Sequence, residues 1–156
     1  DALSRLNDIK GKARALPLAN PVPGAQITSR FGSRRDPFLG RRAHHSGMDF
    51  RARTGAPIHA AGVGTVIKSG WNGGYGRMVE IDHGNGLTTR YAHMSKLLVK
   101  KGEKVEPGTL IGKVGSSGRS TGPHLHYEVR KGGTAINPSQ FITAGRKVAA
   151  FLKDGS

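Results

Sequence analysis

Between Pro123 and Arg130 the chain reads His124-Leu125-His126-Tyr127-Glu128-Val129, and this alternation limits what the segment can become. In a strand, residues i and i+2 point to one face and i+1 to the other. Leu125, Tyr127 and Val129 then belong in a core, while His124, His126 and Glu128 share the opposite face. The preceding Gly118-Arg119-Ser120-Thr121-Gly122-Pro123 is poor helix material and rich in turn residues. The expectation is a strand, fed by a loop, that projects two imidazoles into one cleft.

A second pair, His45 and Asp49, stands four residues apart in His44-His45-Ser46-Gly47-Met48-Asp49. A spacing of four is in phase for strand and helix alike, so the two side chains share a face in either, and Gly47 favours the extended form. Two imidazoles and a carboxylate make the donor set of a catalytic zinc that keeps its fourth position for water. The remaining histidine is left for proton chemistry. With seven histidines in the chain, one H-x-H arises readily as a solvated strand face. A third histidine-bearing element, Tyr91-Ala92-His93-Met94-Ser95 after a hairpin signal, weighs against that explanation. Cysteine is absent, so neither a disulfide framework nor a thiolate zinc site is available.

These motifs resemble those of the lysostaphin-type zinc metallo-endopeptidases, or LytM domains, which cut the peptide part of bacterial cell walls. The resemblance extends from about Pro21 to Phe141. It runs through Ile27-Thr28-Ser29-Arg30-Phe31-Gly32, His45-Ser46-Gly47-Met48-Asp49, Tyr91-Ala92-His93, the stretch from Gly118 to Glu128, and Asn137-Pro138. It implies that one zinc per chain is held by His45, Asp49 and His126, and that His93 and His124 are catalytic histidines that do not bind the metal. All five residues are present. The implied reaction is zinc-assisted hydrolysis of a peptide bond in peptidoglycan. One of the two catalytic histidines carries the proton and the other stabilises the tetrahedral intermediate; the sequence does not say which does which. Members of the family cut either D-alanyl–diamino acid crosslinks or oligoglycine bridges. The helical opening segment and the loop pattern resemble envelope-tethered proteins of Gram-negative bacteria, which implies the D-alanyl bond and a periplasmic place in the cell envelope. Some relatives have lost ligands and activate other wall hydrolases. The alternative is therefore a non-catalytic or autoinhibited LytM-type module, its groove covered by the upstream segment or by an Arg-rich loop.

The expected fold is mainly β, a compact antiparallel sheet with a groove lined by loops and little helix except at the termini. Abundant glycine and a modest apolar fraction agree with many tight turns. Residues 1–15 carry Leu3, Leu6 and Ile9 at a spacing of three and read as the end of an upstream helix, through which a regulatory protein partner would act. Residues 16–24 contain Pro17, Pro21 and Pro23 and read as an extended linker. The peptidase-type domain is placed at 25–141, followed by a basic tail, 142–156, with a short helix. Gly32 to Arg42 reads as a loop forming one groove wall, and Gly115 to Pro123 as another. His83-Gly84-Asn85-Gly86 is a hairpin turn, because Asn and Gly tolerate positive φ. No apolar run is long enough to span a bilayer and no signal peptide is present at Asp1, so a targeting segment is expected upstream.

The net charge of +15 calls for a polyanionic partner. Anionic envelope polymers or lipid headgroups suit it, besides the peptidoglycan stem peptides and crosslinks. Nucleic acid is not expected, since aromatics are few, the basic residues are scattered and no nucleic-acid fold signature appears. A carrier domain for lipoyl or biotinyl groups ranks low, for want of a lysine between two methionines. Among the remaining polar residues, His44 is expected to be a bystander, His59 structural, and His83 a turn residue able to line the groove. Glu128 is a candidate for orienting a ligand or for a surface salt bridge. Trp71 and Tyr75 are candidates for the groove rim.

Overall fold

The computed structural model describes residues 1–35 and 42–154. A helix α1 (Ala2–Ala15) and an irregular segment precede the strands β1 (Gln26–Ser29), β2 (Gly32–Arg35), β3 (Arg42–His45), β4 (Met48–Arg51), β5 (Pro57–His59) and β6 (Gly64–Trp71). There follow β7 (Arg77–Gly84), β8 (Leu87–Leu97), β9 (Lys104–Val105), β10 (Leu110–Val114), β11 (His124–Lys131), β12 (Thr134–Ile136) and the helix α2 (Ser139–Asp154). The larger sheet runs β1-β4-β11-β8-β7-β6-β9, with β12 beside β11 and β10 joining β5 to β8. All its strand pairs are antiparallel. The mainly β fold with helices at the ends is the one the sequence implies.

The alternation on β11 does what a half-buried strand requires. Leu125, Tyr127 and Val129 are fully buried, packed with Phe50, Ile81 and Tyr91 in the core, each such side chain contributing roughly 1.5–3 kcal/mol. The β7–β8 hairpin closes through Asn85 and Gly86, both at positive φ, as a two-residue loop matched to strand twist demands. Strand β8 carries His93 and runs on to Leu97. Its pairing with β7 slips between Arg77 and Val79.

Three segments differ from expectation. The stretch expected as a loop from Gly32 to Arg42 has strands at both ends, β2 and β3, paired from Gly32 opposite His45 to Arg35 opposite Arg42. Residues 36–41 lie outside the described residues. Helix α2 begins at Ser139, earlier and longer than a short tail helix, and it buries Ile142 in the core. His83 lines no groove: it is buried, with Nδ1 2.7 Å from the Val63 carbonyl and Nε2 2.8 Å from Thr89 Oγ1. Thr89 in turn meets Tyr91 OH, to which the Ala61 amide donates, so a chain of polar groups closes inside the core. Burial pushes the His83 pKa down, which keeps the ring neutral there.

Candidate active site

Strand register brings the distant motifs together. His126 on β11 stands opposite Asp49 on β4, and His124 stands opposite Arg51. His45 ends β3, and the Ser46-Gly47 turn returns the chain into β4. Ligand atoms of His45, Asp49 and His126 all lie within 4.8 Å of one another. His126 Nδ1 is 2.8 Å from Asp49 Oδ1, and His45 Nε2 is 3.4 Å from Asp49 Oδ2. His45 is aimed by its other nitrogen, which donates to the Arg30 carbonyl at 2.9 Å. His126 is aimed likewise, with Nε2 2.7 Å from Glu128 Oε2.

This is a donor set that fits a zinc ion. Each imidazole has one nitrogen committed to an oxygen behind it, the arrangement that fixes tautomer and ring orientation in metal sites. Two neutral nitrogens and one carboxylate remain to face the centre.

The turn that carries the first two donors has no room for a side chain. A Cβ on Gly47 would run into the Tyr127 carbonyl oxygen and come within 3.0 Å of His126 Cε1. Gly47→Ala is therefore expected to lower stability by about 1–3 kcal/mol, as overpacking does, and to displace His45 from Asp49. Urea unfolding together with zinc titration of that variant checks both effects.

Electrostatically the centre is a cation flanked by two anions. Burial opposes a charge on His126, but hydrogen bonds to Asp49 and Glu128 outweigh it and raise the pKa to about 9. Burial also opposes ionisation of Asp49, yet its bonds to His126 and His45 hold it well below the usual carboxylate range. Glu128 is wholly buried, and despite that burial its bonds to His126 and Ser46 bring it down to about 2. A raised His126 pKa stabilises the fold fully below the ordinary value of 6.5, and that contribution is lost as pH rises through about 9. The metal-free protein should then lose roughly 3 kcal/mol between those limits, at 1.36 kcal/mol per pKa unit. The zinc-loaded protein should not, if His126 gives Nδ1 to the ion, because the ion would then take the place of the Nδ1 proton. Denaturant unfolding of both forms at pH 6 and pH 9 measures the difference, and a flat metal-free profile would contradict it.

Glu128 both orients a candidate ligand and pairs with arginine. Besides His126 it accepts from Ser46 Oγ (2.8 Å), Tyr75 OH (3.0 Å) and Arg130 Nε (2.8 Å). The sheet supplies a row of alternating charge across four strands, Lys68, Glu80, Arg90 and Glu128, which stand in register. Arg90 Nε is 3.3 Å from Glu80 and its guanidinium lies 5.5 Å from the Tyr75 ring centroid. Tyr75 is thus part of the site, whereas Trp71 is 64% exposed and lies under Arg77. Tyr75 lines the opening at the site, as expected of a rim residue, but its bond to Glu128 and the roles of Ser46, Arg90 and Arg130 escape a sequence reading. Only the parity of Arg130 with Glu128 along the strand gives a hint.

The other two histidines flank the donor set. The His93 and His124 rings are 4.8 Å apart, and His93 is 6.0 Å from the His126 ring. Both commit Nδ1 to a backbone carbonyl at 2.8 Å, His93 to Ser117 and His124 to Gly122. Each therefore presents Nε2 for proton exchange; that of His124 is 3.9 Å from Asp49 Oδ1. Burial lowers the His93 pKa, partly opposed by the Ser117 bond, so its ring is neutral near pH 7. His93 also has φ +59°, a left-handed backbone uncommon outside glycine, at the place where β8 slips against β7. The Ser117 carbonyl is held by two loops that interlock. Gly76 and Gly118, both at positive φ, pack so closely that a Cβ on either would strike the other loop, and the Arg119 amide donates to Gly74 O at 2.8 Å. His44 stacks edge-on against Phe31 and His59 meets the Gly108 carbonyl, so neither joins the centre.

The same geometry has relatives. The chain is 44% identical over 122 residues to the peptidoglycan DD-endopeptidase ShyC of Vibrio cholerae, covering 78% of this chain and 28% of that protein. It is similar to the crystal structure of a zinc-containing peptidase from Vibrio cholerae, with TM-score 0.73 and 40% identity over 80% of this chain and 39% of that one. The catalytic domain of lysostaphin from Staphylococcus simulans matches with TM-score 0.70 and 30% identity, covering 78% of this chain and 95% of the domain. The chain spans about a quarter of the length of the curated relatives it matches. Residues 43–138, the stretch that holds all five centre residues, match the model of peptidase family M23, and the chain belongs to that family.

Proposed function

We propose that this domain is a zinc-dependent endopeptidase that hydrolyses peptide crosslinks of bacterial peptidoglycan, at D-alanyl–diamino acid bonds, in the cell envelope. The observation that carries this reading is the convergence of His45, Asp49 and His126, each histidine aimed from behind, beside two further histidines whose Nδ1 atoms are held by backbone carbonyls. Its relatives named above include an enzyme described as acting on peptidoglycan, and the net charge of +15 suits an anionic wall.

His45 Nε2, Asp49 and His126 Nδ1 would hold one zinc per chain, which when bound would supply a Lewis acid and make water a stronger acid. His93, neutral and with Nδ1–H bound to Ser117, takes a proton from the attacking water on Nε2 and delivers it to the leaving amine as the C–N bond breaks. His124, its Nδ1 held by the Gly122 carbonyl, turns Nε2 towards the oxyanion formed in the attack and stabilises it there. Glu128 keeps His126 in place throughout, and Ser46, Tyr75 and Arg130 keep Glu128 in place.

Digestion of purified walls with D-alanyl–diamino acid bridges and of walls with oligoglycine bridges, followed by mass identification of new termini, tests the assignment. New D-alanyl carboxyl and diamino acid amino termini are expected in the first digest alone. Cleavage confined to oligoglycine, or no new termini in either, would overturn it.

A further inference from the structure

Two openings reach the centre from opposite sides. The first, of about 250 Å³, is lined by Arg51, Asp49 and His124 with Thr121, Gly122 and Pro123. The second, of about 400 Å³, is lined by Arg119, His126 and His93 with Ser46, Tyr75 and Glu128. Along β11 the first opening takes His124 and the second His126 and Glu128, with Arg51 in register beside His124, so a peptide laid along the strand would run from one opening into the other.

We propose that Arg51 and Arg119 bind carboxylates of the peptide on either side of the bond to be cut, so that the site selects an acidic peptide; this rests on the hydrolase reading above. Arg51 follows Asp49 by two residues on β4 and stands in register with His124, so its place beside the centre is set by the sheet. Arg119 is anchored by its amide on Gly74 and by the interlocked Gly76 and Gly118. Both side chains are exposed, and neither has a hydrogen bond or ion pair to another described residue. The site's own charges are already matched. Arg90 and Arg130 serve Glu80 and Glu128, and Asp49 serves the two histidines. The two arginines at the mouths are thus uncommitted cations, and a guanidinium fork matches a carboxylate with two parallel hydrogen bonds. Solvated surface arginines would look the same singly. Their placement on the two openings, Arg51 with Asp49 and His124 and Arg119 with His126 and His93, is what the carboxylate reading explains.

The test uses two crosslinked peptides that differ only in whether the carboxylates flanking the scissile bond are free or converted to primary amides. The wild-type domain is expected to favour the acid form by tenfold or more in kcat/KM, mostly through KM, as loss of a charge-assisted pair implies. In R51Q/R119Q the ratio between the two peptides should collapse towards one. Equal turnover of both peptides by wild type, or an unchanged ratio in the variant, overturns the proposal and leaves the hydrolase reading standing. Absence of turnover on either peptide counts against the hydrolase reading instead. Titration calorimetry of both peptides onto zinc-loaded wild type and R51Q/R119Q then decides the carboxylate question by itself: a preference that the variant loses supports it, and equal affinities overturn it.

Discussion

Replacing His93 with alanine is expected to lower kcat for wall hydrolysis by at least about a hundredfold while one zinc per chain stays bound, since a positioned general base is worth roughly 10²–10⁴ in rate. The reason is that His93 sits beside the donor set without joining it. Its Nδ1 is occupied by the Ser117 carbonyl at 2.8 Å, and the cluster of mutually close ligand atoms is made by His45, Asp49 and His126. Burial keeps its ring neutral near pH 7, the state a proton acceptor needs. The substitution leaves a small void in a buried place, so a thermal melt is needed to show that the fold persists. Rates on purified wall material, paired with elemental analysis of the same samples, give the result. Zinc lost together with His93 would make it a ligand, and an unchanged rate would remove it from the chemistry.

Asp49→Ala carries the second large effect, and here metal and turnover should vanish together. Asp49 is the one carboxylate in the donor set and faces His126 Nδ1 at 2.8 Å and His45 Nε2 at 3.4 Å. Its removal takes a candidate ligand and also leaves two imidazoles without the anion between them. Weakening of zinc affinity should exceed the roughly 10–100-fold that loss of a partner behind a ligand costs. Competition with a chelator of known affinity measures it. Full zinc stoichiometry in the variant would defeat the ligand assignment, and the contrast with His93→Ala is what separates the two classes of residue.

Much of this centre was legible because it follows from period and turn chemistry. The alternation from His124 to Val129 sets a strand with two imidazoles and Glu128 on one face, and the structure places Leu125, Tyr127 and Val129 fully inside. The spacing of His45 and Asp49 keeps the two in phase, and Gly47 is small because Tyr127 and Glu128 lie against it. Asn85-Gly86 closes its hairpin by positive φ. What was not legible depends on which strands become neighbours. The row Lys68, Glu80, Arg90 and Glu128 exists only because β6, β7, β8 and β11 lie side by side, and no local pattern encodes that order. Tyr75 joins Glu128 for the same reason, across 53 residues of sequence. His83 misled because a histidine at a turn is usually exposed, whereas this one satisfies Val63 and Thr89 inside the core. The strands at the ends of the Gly32 to Arg42 stretch escaped because neither Gly32-Ser33-Arg34-Arg35 nor Arg42-Ala43-His44-His45 alternates apolar with polar.

On the proposed reading one divalent cation sits between His45, Asp49 and His126. Anomalous scattering at the zinc edge from crystals of the zinc-loaded domain tests it most directly. A single strong peak is expected, bonded to His45 Nε2, an Asp49 carboxylate oxygen and His126 Nδ1, with His93 and His124 nearby but not bonded. A peak at other residues, or His93 or His124 in place of one of those three donors, would contradict it.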